Sequence, residues 1–256
     1  MSKNFELMQQ ARIGLGGSAT LTGGTLDAAA ESKTERTAEA APMAVTDGSE
    51  TQEECLKLVQ RLFLTPGQKP PKVVVFAAID SGNGCTHLCA ASGRVLAESV
   101  SGSVCLLDGN FRTPSLAEAF GVENHNGLAD CLRQPGAVRQ FSKQLDRNNL
   151  SLLSAGSQAK DSLNLLSCDR LKERMTELRG AFDYLLIDAA PLNAYADAIV
   201  FGRFSDGVVL ILEANVTRRE TALRVAEGLR TAKIPVLGAV LNKRTFPIPA
   251  LLYKRI

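Results

Sequence analysis

The chain has no tryptophan, only 5% aromatic residues and two histidines in 256 positions. Aliphatic side chains must therefore fill whatever core it builds, and 45% hydrophobic content is enough for a sizeable one. No apolar run is long enough to span a bilayer. The opening "MSKNFELMQQAR" lacks the apolar stretch of a secretion signal. Both absences predict a cytoplasmic protein. A net charge of +2 gives no reason to expect nucleic-acid binding. Cys55, Cys85, Cys89, Cys105, Cys131 and Cys168 are scattered, several in apolar runs, as buried thiols rather than disulfides would be.

Large apolar residues are also scarce over residues 13–50, where Gly, Ala, Thr, Ser and Glu dominate. Such a stretch buries too little surface to offset its ordering entropy. Residues 1–49 thus read as a flexible arm, and its first dozen residues as either a short amphipathic helix or a frayed end. Residues 50–256 read as one folded domain. Residues 50–64 have helical apolar spacing with acids at the start. From residue 72 onward, short apolar runs alternate with amphipathic segments. Six strands are expected, in "KVVVFAA", "SVCLLD", "LSLLSAG", "YLLID", "DGVVLILEA" and "PVLGAVLN". Helices fall between them, at 86–99, within 161–179, at 194–204 and at 217–232, with shorter ones in "PSLAEAFG" and "NGLADCLRQ". Continuous β-branched runs joined by helices predict a doubly wound, mostly parallel sheet covered on both faces.

Ligands of such sheets bind beyond the carboxyl ends of the strands. Four strand ends carry polar residues. The first, "IDSGNGCT" (79–86), is a glycine-bearing loop entering a helix, a form whose amides cradle an anion. Against the phosphate-loop pattern G-x4-G-K-[ST], Ile79 replaces the first glycine and Cys85 the lysine. Thr86 can offer a hydroxyl to magnesium. The second holds Asp108, Asn110, Arg112 and Pro114; an aspartate there is either a helix cap or a chemical group. The third, "YLLIDAAP", places Asp188 as a Walker B aspartate would be placed. The fourth ends in Asn242.

In this order and spacing the four stretches resemble the bacterial tyrosine kinases of capsule and exopolysaccharide assembly, a branch of the MinD/ParA-like P-loop ATPases. The resemblance covers about residues 50–245. The family's P-G-E-G-K-[ST]-[ST] aligns with Ser81, Gly82, Asn83, Gly84, Cys85, Thr86 and His87. Its D-x-D-x-R-x-P aligns with Asp108, Asn110, Arg112 and Pro114, and its I-D-[ST]-P-P with "IDAAP". The resemblance implies ATP and magnesium as cofactors, with Ser81 to His87 and Asn242 holding nucleotide. Thr86, Asp108 and Asp188 would hold the metal, and Asp108, Arg112 and Asp188 would be catalytic. It also implies a membrane polysaccharide co-polymerase as partner, a homo-oligomer, and a location at the inner face of the membrane through that partner.

The departures bear on activity. A charge-assisted hydrogen bond contributes about 1.5–3 kcal/mol, so losing the lysine predicts about 10- to 100-fold weaker binding. Losing one preorganised donor typically slows chemistry by about 10²–10³. Asn110 removes a second carboxylate. Arg112 is the candidate substitute for the missing charge. The E-x-x-R-x-x-R assembly motif survives only as Glu54, Lys57 and Gln60. The tyrosine-rich tail is reduced to Tyr253, and Tyr184 and Tyr195 are expected inside regular structure. Cys85-x-His87-x-Cys89 suggests two further readings, a metal site or a reactive Cys85 thiol at a helix N-terminus. The functional expectations are an ATP-binding protein of exopolysaccharide assembly with weak kinase activity, a catalytically dead docking partner, or a partitioning ATPase. The last usually keeps a lysine around positions 79–81, absent here.

Overall fold

The computed structural model describes residues 49–145, 149–156, 164–166 and 169–244, with side chains from residue 52. Residues 1–48 of the N-terminal arm, Cys168, Tyr253 and the C-terminal segment named above lie outside these residues; Ser49, expected in the arm, opens the first helix. Helix α1 (Ser49–Phe63) precedes β1 (Val73–Ala78), α2 (Cys85–Ser99) and β2 (Val104–Asp108). Helices α3 (Leu116–Ala119) and α4 (Leu128–Arg133) follow, then β3 (Lys143–Gln144) and β4 (Leu150–Leu153). The rest alternates: α5 (Asp169–Ala181), β5 (Tyr184–Ala189), α6 (Asp197–Gly202), β6 (Gly207–Glu213), α7 (Arg219–Thr231) and β7 (Val236–Asn242).

The strands form one sheet in the order β3-β4-β2-β5-β1-β6-β7. All six expected strands are present and parallel. A seventh, β3, pairs antiparallel with β4 at the edge. It is two exposed polar residues long, so no apolar pattern marks it. Helix α6 is shorter than expected, beginning at Asp197 rather than near residue 194. Tyr195 therefore lies in a turn, not in a helix, and is exposed.

Successive strand side chains point to opposite faces, and the core divides accordingly. Val73, Val75 and Ala77 of β1 pack with Leu128 of α4, Leu171 and Met175 of α5, Phe201 of α6 and Leu229 of α7. Val74, Phe76 and Ala78 pack with Leu58 and Phe63 of α1 and Leu88 and Leu96 of α2. Burial on both faces explains why the strands read as unbroken apolar runs.

One close approach constrains the loop side of the sheet. Gly127 precedes α4 and lies against the end of β4. Leu128 and Ala129 donate their amides to the carbonyls of Ser154 and Ala155. A Cβ on Gly127 would sit 2.2 Å from the Gly156 nitrogen and the Ser154 oxygen. These are backbone atoms that cannot rotate away. Gly127→Ala is expected to destabilise the domain by about 3 kcal/mol, the upper end for overpacking. The denaturant midpoint would show it, whereas Gly180→Ala, with open space around the new methyl, should leave the midpoint unmoved or raised.

Candidate functional site

The glycine-bearing loop lies between β1 and α2. Gly82 and Gly84 have φ of 83° and 85°, backbone that glycine adopts without steric cost. At Gly84 space is decisive as well, because a Cβ there would meet Asn242 Nδ2 at 2.4 Å. The loop is braced from within and from both sides. Asp80 donates its amide to Asn83 Oδ1 at 2.9 Å. Asn83 Nδ2 donates to Glu213 Oε2 at 3.1 Å, and Asn242 Nδ2 donates to the Asn83 carbonyl at 2.8 Å. From the other side, Asn193 Nδ2 donates to Asp80 Oδ1 at 2.9 Å, and the Leu192 and Asn193 amides donate to the carbonyls of Ala78 and Ile79. Ile79, where the pattern has glycine, is a fully buried core residue.

Helix α2 starts at Cys85 with no side-chain cap. Among the described residues, the amides of Cys85, Thr86 and His87 have no partner in the chain. They are the orphan donors of a helix start, at its positive end. An anion is the natural occupant of such a position.

Asp108 and Asp188 were read from separate motifs. Sheet register makes them direct neighbours on β2 and β5. Both are buried, on the face that α2 covers. Thr86 donates its hydroxyl to Asp188 Oδ2 at 2.6 Å. Asp188 Oδ1 is buried with no conventional hydrogen-bond partner, although the Cys85 thiol lies close enough to favour the ionised carboxyl. Asp108 is better satisfied. Its Oδ1 accepts the Asn110 amide at 3.2 Å, and its Oδ2 accepts the amides of Ser115 and Leu116 at 3.0 Å. It therefore serves as the cap expected of an aspartate before a helix. Burial raises both carboxyls well above the ordinary range. For Asp108 the neighbouring Asp188 adds to the rise, and its three amide bonds oppose it. For Asp188 the Thr86 hydroxyl and the Cys85 thiol oppose it.

The structure corrects three expectations. The Cys85 thiol is not activated by its helix. It is buried, and burial with the nearby Asp188 charge pushes its pKa well up. Cys89 is raised in the same way. Cys85, His87 and Cys89 do not converge as metal ligands; among the described residues no cluster of three His, Cys, Asp or Glu could hold an ion. Nor is Arg112 free to replace the lysine. Its Nε and one terminal nitrogen bind Asp197 at 3.0 and 3.3 Å, and its guanidinium lies 3.9 Å from the Tyr195 ring centroid. Asn110 bonds Thr113 through both ends of its amide. Ser81 is exposed and His87 half-buried on α2. Asp197, Asn193 and Glu213 escaped the sequence reading. Asn193 and Glu213 are polar residues at or a few positions past a strand end, and Asp197 opens a helix; many residues so placed merely cap loops or helices.

No protein-family model matches the chain. Comparison with individual proteins is decisive. The tyrosine-protein kinase YwqD of Bacillus subtilis (strain 168) is 31% identical over 171 residues, covering 67% of this chain and 72% of YwqD. The chain belongs to the bacterial tyrosine kinases. A longer relative of these kinases, the succinoglycan biosynthesis transport protein ExoP of Rhizobium meliloti (strain 1021), is 29% identical over 177 residues. The match covers 67% of this chain but only 22% of ExoP. The VpsO kinase domain superposes with a TM-score of 0.67 at 24% identity, covering 79% of this chain and all of that domain. The septum site-determining protein MinD of Pyrococcus horikoshii OT3, solved with Mg-ADP, gives 0.58 at 20% identity, covering 72% and 76% of the two chains. The fold is thus that of the MinD/ParA-like P-loop proteins, shared by these kinases. Where the phosphate-loop pattern has lysine, this site carries the buried, neutral thiol of Cys85.

Proposed function

We propose that this tyrosine kinase homologue binds a magnesium–nucleoside triphosphate at the β1–α2 loop and acts in exopolysaccharide or capsule assembly, with phosphoryl transfer strongly slowed. The observation that carries the reading is the unpartnered, buried Asp188 Oδ1 beside the Thr86 hydroxyl, directly under a helix start with three free amides. A hard cation that takes oxygen ligands suits this donor set, and phosphate oxygens suit the amides. Thr86 and Asp188 would hold magnesium, with Asp108 behind them. The rest of the coordination would come from phosphate and water. The ion would neutralise charge on the transferring group. Ser81 to His87 would surround the phosphates. Asn242 Nδ2 gives one hydrogen to the Asn83 carbonyl, which leaves its second N–H and its carbonyl for a base.

The polysaccharide role rests on relatives such as ExoP, whose name states biosynthesis and transport of succinoglycan. It implies a membrane polysaccharide co-polymerase as partner and work at the inner face of the membrane. A second reading, a nucleotide-responsive docking protein without catalysis, is favoured by two observations: Cys85 is a buried neutral thiol and Arg112 is held by Asp197. Calorimetry with ATP and ADP, with and without magnesium, tests the common part. Magnesium-dependent micromolar binding is expected, and no binding of either nucleotide would overturn both readings. Phosphotyrosine detection after incubation with Mg-ATP then separates them.

A further inference from the structure

Charge in this chain is unevenly distributed. Residues 216–244 contain seven Lys and Arg against two Glu, while the whole chain is only +2. The structure gathers part of this excess at one corner, where β6 and β7 end and α7 begins. The turn after β6 folds back on itself, with the Val216 and Thr217 amides donating to the Glu213 carbonyl. The Ala214 amide reaches across to the Asn242 carbonyl, which joins this turn to the end of β7. Lys243 pairs with Glu213 at 3.1 Å. Arg218 and Arg219 are exposed and have no ion pair among the described residues.

Apolar side chains are exposed among these cations. Val216 is 62% exposed, Leu223 52% and Leu241 43%. Leu223 stands one helical turn after Arg219, on the same face of α7. Leu241 immediately precedes the residues that tie β7 to the turn. Isolated exposed apolar residues need no explanation, but a cluster with cations at the open edge of a sheet does.

We propose that this corner docks on an anionic phospholipid surface. The arginines and Lys243 would meet headgroup phosphates, and the three aliphatic side chains would enter the headgroup–acyl boundary. Charge complementarity selects an anionic partner. The apolar residues favour lipid over nucleic acid, because they gain nothing from a phosphodiester backbone and, among the described residues, the corner has no aromatic ring to stack on a base. The proposal is independent of nucleotide binding or catalysis. It would hold the phosphate loop close to the bilayer, since Glu213 bonds both Lys243 and Asn83.

Co-sedimentation of the full chain with phosphatidylcholine vesicles, with and without phosphatidylserine, tests it. Binding to the anionic vesicles alone is expected, with release by high salt. Each basic residue near an anionic surface contributes about fivefold, so Arg218→Glu with Arg219→Glu should weaken binding by roughly 30-fold or more. Leu223→Gln should weaken it with no change in charge. Lys69→Glu with Lys172→Glu makes the same change in net charge elsewhere and should bind as the parent does. The proposal fails if anionic vesicles do not bind the protein or neutral ones bind it equally. It also fails if the control pair loses as much, or if duplex DNA binds more tightly than the vesicles.

Discussion

Cys85→Lys is expected to tighten magnesium-dependent ATP binding by about 10- to 100-fold, the equivalent of one charge-assisted hydrogen bond. If residual phosphoryl transfer exists, the substitution should raise it by about 10²–10³. Position 85 opens α2, directly after the left-handed Gly84. The present thiol is buried against Asp188 and stays neutral. A lysine stem is long enough to leave that pocket and bring its ammonium to the side where the free amides converge. The gain should therefore depend on the outer phosphates. Calorimetry with ATP, ADP and AMP reads this directly: an equal gain for AMP, or none for ATP, would mean that the loop does not hold a polyphosphate. Cys85→Ala is the control. It removes a neutral group and should leave nucleotide affinity within a few-fold of the parent. Without nucleotide, the new ammonium would pair with Asp188 and draw that carboxyl back towards its ordinary range.

Asp188→Asn should have opposite effects on stability and on binding. The folded protein holds Asp108 and Asp188 side by side and buried, with both carboxyls raised. An acid whose pKa is higher folded than unfolded binds more protons in the native state. Stability then falls as pH rises through the interval between the two values. For this pair the interval runs upward from about 4, the ordinary carboxylate value, because burial, and for Asp108 the neighbouring Asp188, raise both carboxyls in the folded state. With EDTA present, the melting temperature of the parent should accordingly drop from pH 5 to pH 8. Magnesium should recover stability most at the alkaline end. Asp188→Asn keeps an acceptor for the Thr86 hydroxyl and removes one of the two buried charges. The variant should melt higher than the parent at pH 8 in EDTA, with a flatter pH profile. It should also lose the magnesium-dependent component of nucleotide binding. A variant that melts lower at pH 8 and still binds nucleotide with magnesium would show that the pair is structural. Asp108→Asn is a poorer probe, because Asp108 accepts three backbone amides and an amide nitrogen cannot replace both oxygens.

Much of this architecture was readable before any coordinates, for local reasons. Strand runs such as "KVVVFAA" are apolar throughout because both sheet faces are covered. The loop before α2 announces itself because two glycines and a helix start are adjacent in the chain. The misreadings fall where a side chain's partner is distant. Arg112 was a candidate for the missing positive charge, but Asp197, 85 residues away, holds it. Cys85 was a candidate reactive thiol because helix starts favour thiolates. The desolvation that overrides this effect comes from burial beneath the loop against Asp188. Tyr195 read as helical because "YADAIVFG" is helix-compatible throughout, yet the bonds from Leu192 and Asn193 to β1 and its loop hold the turn before α6 open.

By itself the sequence determined the alternation of strands and helices, the position of the phosphate-type loop and the loss of its lysine. These depend on short-range periodicity and on which residues are present. Only the tertiary structure decided that Asp108 and Asp188 share one buried pocket, that Asn242 braces the loop, and that the basic and apolar residues of β6, α7 and β7 meet at one corner. Those facts follow from strand order and register, and parallel pairing joins segments too far apart in sequence for any local pattern to record.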